Sequence, residues 1–269
     1  MQEKNNSLEN RNLPIGFCDS GVGGLSVLAK CRELMPNEDF IYFGDLKNIP
    51  YGNKSCKELY GYLTEILDFF TTKNVKAVVL ACNTTSAVVY DLVKDKYPFV
   101  IYPIIQSSAK ILAGLNTKKI GVFATNATIN SGAYEREIKK HNSDIEFFSK
   151  ACPGWVEIVE SKTQSEPQSV LLIQKYLTEM LKNNPDKLVL GCTHYPFLKD
   201  VLSRFVDSNM LVDPAEYFAE YIKLNLITKN LENLKTVKGY EEFYVSANPE
   251  QFKTSASLFY EVKNCNLFV

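Results

Sequence analysis

The chain has 269 residues, 45% of them hydrophobic, and its 30 basic and 31 acidic side chains leave a formal net charge of −1. A chain of this length buries one large core or two modest ones. The balanced charge provides no basic surface for nucleic acid or for an anionic membrane. We therefore expect a small-molecule partner, with no nucleic acid and no membrane.

Seven cysteines are spread widely through the chain, which holds only two histidines, His141 and His194. A chain of this size does not need disulfide staples, its N-terminus is polar without an apolar signal segment, and no apolar run approaches a membrane span. We expect a reduced, cytoplasmic protein. Because no cysteine pair has the close spacing of zinc sites, we expect no metal.

Apolar β-branched runs alternate with longer amphipathic stretches, a pattern typical of βα units in a mainly parallel sheet. The first half predicts, in chain order, strand PIGFCDSG, helix GGLSVLAKCREL, strand DFIYFGD, helix CKELYGYLTEILDFFTTKN and strand VKAVVLAC. The second half predicts strand KKIGVFAT, helix INSGAYEREIKKHN, strand IEFFSKAC, helix SVLLIQKYLTEMLKNN and strand DKLVLGC. A tail follows with helix AEYFAEYIKLNLITKNLEN, strand YEEFYVSA and a last helix.

Two stretches of the first half recur in the second half. VVLACNTT at 78–85 matches LVLGCTHYP at 188–196, and the strand at 15–17 matches the one at 120–122 at nearly the same offset. Parallel strands resemble one another, so one match alone is weak, but two in the same order indicate a duplication. We predict two similar, facing α/β domains, residues 1–101 with 213–269 and residues 102–212, with the active site in the cleft between them.

Both repeated stretches place a cysteine, Cys82 or Cys192, where a strand ends and a helix is expected to begin. Ligands of open parallel sheets bind at this end, and a helix start favours a thiolate. Two thiols flanking one cleft suit a reaction that removes a proton from one face of a carbon and returns one to the other. The pattern therefore predicts racemisation.

Six stretches stand in order along the chain: GFCDSGVGGLSVL, YFGDLKNIPYG, LACNTTSA, GVFATNATINSGAYE, CPGWVEIVE and LGCTHYPFL. They resemble the successive motifs of glutamate racemases, cofactor-independent enzymes that supply D-glutamate for bacterial peptidoglycan. The resemblance runs from about Ile15 to Glu216. It implies an amino-acid racemase that acts on L- and D-glutamate, needs no cofactor and forms a homodimer.

The resemblance also implies roles for individual residues. Cys82 would deprotonate D-glutamate with help from Asp19, and Cys192 would deprotonate L-glutamate with help from His194. The positions that match substrate-binding residues of the family are Asp19, Ser20, Tyr51, Gly52, Asn83, Thr84, Thr125, Glu160, Thr193 and His194.

Simpler roles stay open for several of these residues. Asp19 would serve as a helix cap near Gly21, His194 as a core histidine, and Glu160 as a solvated residue late in a helix. The GVGG run at 21–24 lacks the remainder of a phosphate-binding motif, so its glycines are expected to let the backbone approach the substrate. His141 is expected at the surface. Structural roles are expected for the remaining cysteines: Cys18, Cys31, Cys56, Cys152 and Cys265.

The sequence departs from the family pattern in several places, among them Cys18 beside Asp19, Gln106 where a glutamate is frequent, and Trp155 and Glu157 in place of apolar residues or proline. The main alternative activity is racemisation of aspartate or a related acid. A non-catalytic amino-acid-binding protein is a further alternative. A redox pair is disfavoured because neither Cys82 nor Cys192 lies in a C-x-x-C arrangement.

Overall fold

The computed structural model describes residues 10–257 and 259–268. Strands in these residues form two sheets in which every pair is parallel, which confirms the predicted fold class. The first sheet comprises β1 (Ile15–Asp19), β2 (Phe40–Gly44), β3 (Ala77–Leu80), β4 (Val100–Pro103), β9 (Glu241–Val245) and β10 (Asn266–Leu267). The second sheet comprises β5 (Lys119–Ala124), β6 (Glu146–Ala151), β7 (Lys187–Gly191) and β8 (Leu211–Val212).

Helices connect the strands and cover both sheets. The first half contains α1 (Leu25–Leu34), α2 (Cys56–Thr72), α3 (Asn83–Val88), α4 (Tyr90–Val93) and α5 (Ile104–Ala113). The second half contains α6 (Asn126–Asn130), α7 (Ala133–His141), α8 (Trp155–Glu160), α9 (Pro167–Leu181) and α10 (Lys199–Leu202). The tail contains α11 (Pro214–Thr228) and α12 (Pro249–Ala256).

The strand order shows the predicted duplication. The first sheet runs β10-β9-β2-β1-β3-β4 and the second runs β6-β5-β7-β8, so β2-β1-β3-β4 corresponds to β6-β5-β7-β8. Gly16 and Gly121 occupy equivalent places on β1 and β5, and a Cβ on either would lie 2.7 Å from a core side chain, Phe70 or Met180. The strands that precede Cys82 and Cys192 are therefore equivalent as well.

The predicted strands and helices are confirmed in type, with differences in detail. The predicted helix INSGAYEREIKKHN is two helices, α6 and α7, which meet at Gly132, where φ is 63°. No helix of the α type begins directly after Cys192, because the chain there forms a short 3-10 helix, Tyr195–Leu198. Elements that were not predicted include β4, α4, α5, β8 and β10.

The tail adds strands to the first sheet, in which β9 pairs with β2. Helix α11 packs against α1 and also against α5, which in turn contacts α7 of the second half. The boundaries at 101/102 and 212/213 stay a prediction, since helices on either side of them touch both halves. No helix in the described ranges is long and apolar enough to cross a membrane.

Candidate active site

A cavity of about 180 Å³ lies where the carboxyl ends of the two sheets face each other. Pockets for drug-sized ligands measure roughly 300–1,000 Å³, so this one suits a smaller metabolite. The predicted site residues that line it are Ser20, Tyr51, Gly52, Cys82, Asn83, Thr84, Thr125, Glu160, Cys192, Thr193 and His194. The structure thus brings the predicted site residues, apart from Asp19, together around one cavity.

Cys82 is the residue before α3 and is 6% exposed. Burial raises the pKa of its thiol to about 12, and the nearby Asp19 carboxylate acts in the same direction. Hydrogen bonds from the backbone of Thr85 and Thr84 act oppositely but are weaker. The expectation that the helix start would favour a thiolate is therefore wrong for Cys82, because burial outweighs the helix end.

Asp19 lies behind Cys82 and does not line the cavity. Its carboxylate is 2% exposed and accepts hydrogen bonds from the Gly21 backbone at 3.1 Å and from the Thr193 hydroxyl at 3.4 Å. Burial raises the pKa of Asp19, and the neighbouring His194 partly opposes that rise. Asp19 does not cap α1, which begins at Leu25 without a side-chain cap. It connects the two halves through Thr193.

Cys192 stands at the end of a chain of three side chains. Its Sγ is 3.8 Å from His194 Nδ1, and His194 Nε2 is 3.1 Å from Glu160 Oε1. Burial alone would lower the pKa of His194, but the contacts with Cys192 and Glu160 outweigh it and raise that pKa to about 10. His194 thus lies buried between the Cys192 sulfur and the Glu160 carboxylate, and Glu160, at the end of α8, is not merely solvated.

Small polar side chains form another wall. The Thr84 and Thr125 hydroxyls are 3.1 Å apart and belong to opposite halves of the molecule. Thr125 also caps α6, where its hydroxyl accepts from the Thr128 backbone. Asn83 begins α3 and is 3% exposed, and its carbonyl oxygen accepts a hydrogen bond from Tyr134. This wall offers hydroxyl and amide donors without a formal charge.

A short 3-10 helix, Tyr51–Asn53, covers the cavity from the first half. The Tyr51 hydroxyl donates to Asp45, so this residue faces the cavity with its ring and backbone. A Cβ on Gly52 would lie 2.9 Å from Thr125 Cβ, so glycine permits this close approach. Asn126 Nδ2 donates to Asn53 Oδ1 at 3.4 Å across the cleft.

The glycines of GVGG approach site side chains and not the cavity itself. A Cβ on Gly23 would lie 2.3 Å from Thr193 Oγ1 and 2.8 Å from His194 Nδ1. A Cβ on Gly24 would lie 2.6 Å from Asp19 Cβ. These glycines were expected to let the backbone approach the substrate. In the structure they instead allow close packing behind Asp19 and His194.

Sequence reasoning missed part of the lining. Cys152 was assigned a structural role, but it lies in the cavity wall at the carboxyl end of β6 and is 1% exposed. The position of Cys152 directly after a strand was the sequence signal that could have placed it at the cavity. Further lining residues that were not predicted are Ile49, Pro50, Asn53, Asn126, Pro153, Gly154, Val156, Glu157 and Tyr195. His141 is exposed, as expected.

Among the described residues, no lysine or arginine lines the cavity. In the same part of the chain, no group of three or more His, Cys, Asp or Glu side chains is arranged to hold a metal ion. Among the lining residues, His194 is therefore the basic side chain that can face an anionic ligand. The other groups that can bind such a ligand are neutral hydroxyl and amide donors. Cys82 and Cys192 are both free thiols.

Comparison with known proteins gives consistent matches. The sequence profile of the Asp/Glu/Hydantoin racemase family matches residues 22–222. A glutamate racemase of Thermoanaerobacter sp. (strain X514) is 42% identical over 248 residues, which are 91% of this chain and 92% of that protein. The crystal structure of glutamate racemase from Francisella tularensis subsp. tularensis SCHU S4 in complex with D-glutamate has a TM-score of 0.90 at 33% identity, over 96% of this chain and 98% of that one.

The aspartate racemase of Picrophilus torridus is more distant, with a TM-score of 0.55 and 17% identity over 82% of this chain and 95% of that one, and shares the fold alone. The family profile, the identity over nearly the whole chain and the arrangement of the two thiols lead to one assignment. The chain belongs to the glutamate racemases of the Asp/Glu/Hydantoin racemase family.

Proposed function

We propose that this protein interconverts L- and D-glutamate by proton transfer between the substrate α-carbon and two cysteine thiols. The observation that carries the proposal is the placement of Cys82 and Cys192. They follow equivalent strands of two facing sheets and line the same small cavity. A carbon held between them is open to a thiol on each face, which is the arrangement that inversion requires.

In the L-to-D direction, Cys192 removes the α-proton and Cys82 delivers one to the opposite face. The raised pKa of Cys82, about 12, keeps this thiol protonated at rest and ready to donate. The His194 imidazolium, 3.8 Å from Cys192, stabilises the negative charge of a thiolate there. In the D-to-L direction the roles reverse, and a Cys82 thiolate is a strong base because its pKa is high.

Asp19 and Glu160 act through these thiols. Asp19 lies next to Cys82, and its charge contributes to the high pKa and so to the basicity of that thiolate. Glu160 holds the outer nitrogen of the His194 ring, which leaves Nδ1 directed at Cys192. Each thiol therefore has its own acidic group, one buried behind it and one connected through the histidine.

The two carboxylates of glutamate would bind to the neutral donors of the cavity. Hydroxyl, amide and backbone donors in a dry site stabilise negative charge on a substrate and on the carbanion that forms during proton transfer. The proposed donors are Ser20, Asn83, Thr84, Thr125 and Thr193. The loop at Tyr51 and Gly52 would close over the bound substrate.

The proposal extends to the cellular context. Family membership supports a cofactor-independent homodimer in the cytoplasm that provides D-glutamate for peptidoglycan. Glutamate is favoured over aspartate because the relatives that match nearly the whole chain at 33–42% identity are called glutamate racemases.

The first prediction concerns the two thiols. Wild-type protein in deuterated buffer without added cofactor is expected to invert both enantiomers and to incorporate deuterium at the α-carbon. Cys82→Ser and Cys192→Ser should each lower racemisation by about 10²–10⁴-fold, because each removes one general acid or base. Cys82→Ser should still exchange the α-proton of L-glutamate, because Cys192 remains. Optical rotation and mass spectrometry measure the two processes.

Cys56→Ser is the matched control, because Cys56 is exposed and lies outside the cavity. Aspartate is tested as a second substrate because its side chain is shorter than that of glutamate. Turnover of aspartate without turnover of glutamate would show that aspartate is the substrate. Binding of glutamate without any α-exchange would identify a non-catalytic binding protein. A disulfide between Cys82 and Cys192 after mild oxidation, with no exchange, would favour the redox alternative.

A further inference from the structure

Tyr134 lies outside the cavity but contacts segments next to both thiols. It belongs to α7 of the second half and is 2% exposed. Its hydroxyl donates a hydrogen bond of 2.6 Å to the Asn83 side-chain oxygen, and Asn83 directly follows Cys82. Because Asn83 belongs to the first half, this bond crosses between the two halves.

The Tyr134 ring contacts the other thiol-bearing segment. A Cβ on Gly191 would lie 2.8 Å from Phe123 O and 3.0 Å from Tyr134 Cε2, so the Tyr134 ring lies close to the backbone at this strand end. Gly191 is the last residue of β7 and directly precedes Cys192. One rigid side chain is thus packed against the residue before one thiol and bonded to the residue after the other.

The bond to Asn83 also determines what that amide offers to a ligand. An asparagine side chain has an acceptor oxygen and a donor nitrogen of nearly equal size, and its orientation is set by its hydrogen bonds. Because Tyr134 donates to the oxygen, Asn83 directs its NH₂ group elsewhere, and Asn83 lines the cavity. A donor is the group that a substrate carboxylate needs, whereas the amide oxygen would repel it.

We propose that Tyr134 is a positioning residue that fixes the orientation of the Asn83 amide and the spacing of the two thiol-bearing segments. This inference rests on the racemisation proposed above and adds to it a residue that does not touch the substrate. Among the described residues, the Tyr134 hydroxyl is the hydrogen-bond partner of the Asn83 side chain, and Tyr134→Phe removes it.

The test compares two Tyr→Phe variants that remove the same kind of bond. Tyr134→Phe removes the bond to Asn83, and Tyr102→Phe removes a bond of 2.8 Å from an equally buried tyrosine to Asn225 Oδ1, away from the cavity. We expect Tyr134→Phe to lower kcat/KM about tenfold, mainly through a higher KM, since a lost bond to a buried acceptor is of that size. Tyr102→Phe should keep wild-type kinetics even if its Tm falls similarly.

A double-mutant cycle separates positioning from a general loss of structure. If Tyr134 acts through Asn83, then Tyr134→Phe should have little further effect on KM in the Asn83→Ala background. Independent, multiplying effects of the two substitutions would overturn the proposal. Equal kinetics of Tyr134→Phe and Tyr102→Phe would overturn it as well.

One readout does not depend on turnover. The NMR signals of the Asn83 side-chain NH₂ group, assigned by their loss in Asn83→Ala, should shift in Tyr134→Phe and stay in place in Tyr102→Phe. A wild type that does not racemise glutamate would refute the proposed function, while these signals still decide whether Tyr134 orients Asn83. Unchanged signals in Tyr134→Phe would refute the positioning role even in an active enzyme.

Discussion

At the scale of single residues, the two thiols differ although their strands are equivalent. Cys82 has the buried Asp19 behind it, while Cys192 faces His194. Burial and a nearby carboxylate raise the pKa of the Cys82 thiol, whereas the group beside Cys192 is an imidazole ring. The surroundings of the two thiols are therefore asymmetric, with a carboxylate beside one and an imidazole beside the other.

Glu160→Gln tests the role of the His194 pKa. The pKa of His194 is raised from 6.5 to about 10, so its bonds stabilise the fold fully below about pH 6.5, and this contribution is lost as the pH rises through about 10. Without the Glu160 carboxylate the pKa should fall. We expect the alkaline limb of the kcat/KM profile to move to lower pH, with about tenfold lower activity in mildly alkaline buffer.

The loss should be equal in both directions, because the two enantiomers have the same free energy and the ratio of their kcat/KM values is fixed. Glu157→Gln is the control, since it removes a negative charge from the same helix without a bond to His194. An alkaline limb that shifts equally in both variants would show that overall charge, and not the bond to His194, sets the profile.

At the scale of elements, the strands and longer helices were predictable because their apolar spacing is local information. The missed strands are short: β4 has four residues and β8 and β10 have two each. Helix α5 was missed although it has ten residues and an amphipathic pattern. The site was predictable at strand ends, where Cys82 and Cys192 follow clear apolar runs. Cys152 directly follows β6 and therefore had the same strand-end signal as Cys82 and Cys192. The approach of Asn126 to the cavity depends on how α6 packs, which no local pattern encodes.

Gly23→Ala tests the close contact between the loop before α1 and the segment after Cys192. The added Cβ would lie 2.3 Å from Thr193 Oγ1 and 2.8 Å from the His194 ring, so the neighbours must move. We expect a loss of about 1–3 kcal/mol in the free energy of unfolding from the overpacking. The kcat/KM should fall at least about tenfold, because His194 would leave Cys192. Urea denaturation and the racemisation assay measure these effects.

Gly61→Ala provides the matched control. Gly61 is exposed in α2, and a Cβ there would meet nothing within 4 Å. This variant should gain about 0.5–1 kcal/mol of stability, since alanine loses less backbone entropy in a helix, and should keep full activity. If Gly23→Ala were as active as Gly61→Ala, the close contact would have no bearing on the site.

At the scale of the whole molecule, a buried ion pair, Lys76 with Glu38, joins the tail to the first sheet at the ends of the strands opposite the cavity. Their side chains are 1% and 4% exposed, and Glu38 also accepts a hydrogen bond from the Asn233 backbone. Burial lowers the pKa of Lys76 and raises that of Glu38, although each faces an opposite charge. The desolvation cost thus outweighs the attraction within the pair.

Such a pair should tolerate the loss of both charges better than the loss of one. Lys76→Met leaves an uncompensated buried carboxylate and is expected to cost about 3–5 kcal/mol of unfolding free energy. The double variant Lys76→Met with Glu38→Gln should recover part of this loss, because Gln still accepts from Asn233. Urea denaturation measures both, and kcat/KM should stay near the wild-type value. A double variant less stable than Lys76→Met would contradict this reasoning.

The place of β9 beside β2 affects the order in which the sheets are completed during synthesis. Strand β2 ends at Gly44 and its neighbour β9 begins only at Glu241, so the ribosome makes the entire second sheet between them. Meanwhile β2 presents an open edge with a sequence, FIYFG, that is buried in the finished sheet and prone to pair with other chains. All strands of the second sheet are therefore synthesised before the last two strands of the first, and we expect the β2 edge to stay open to aggregation until the tail emerges.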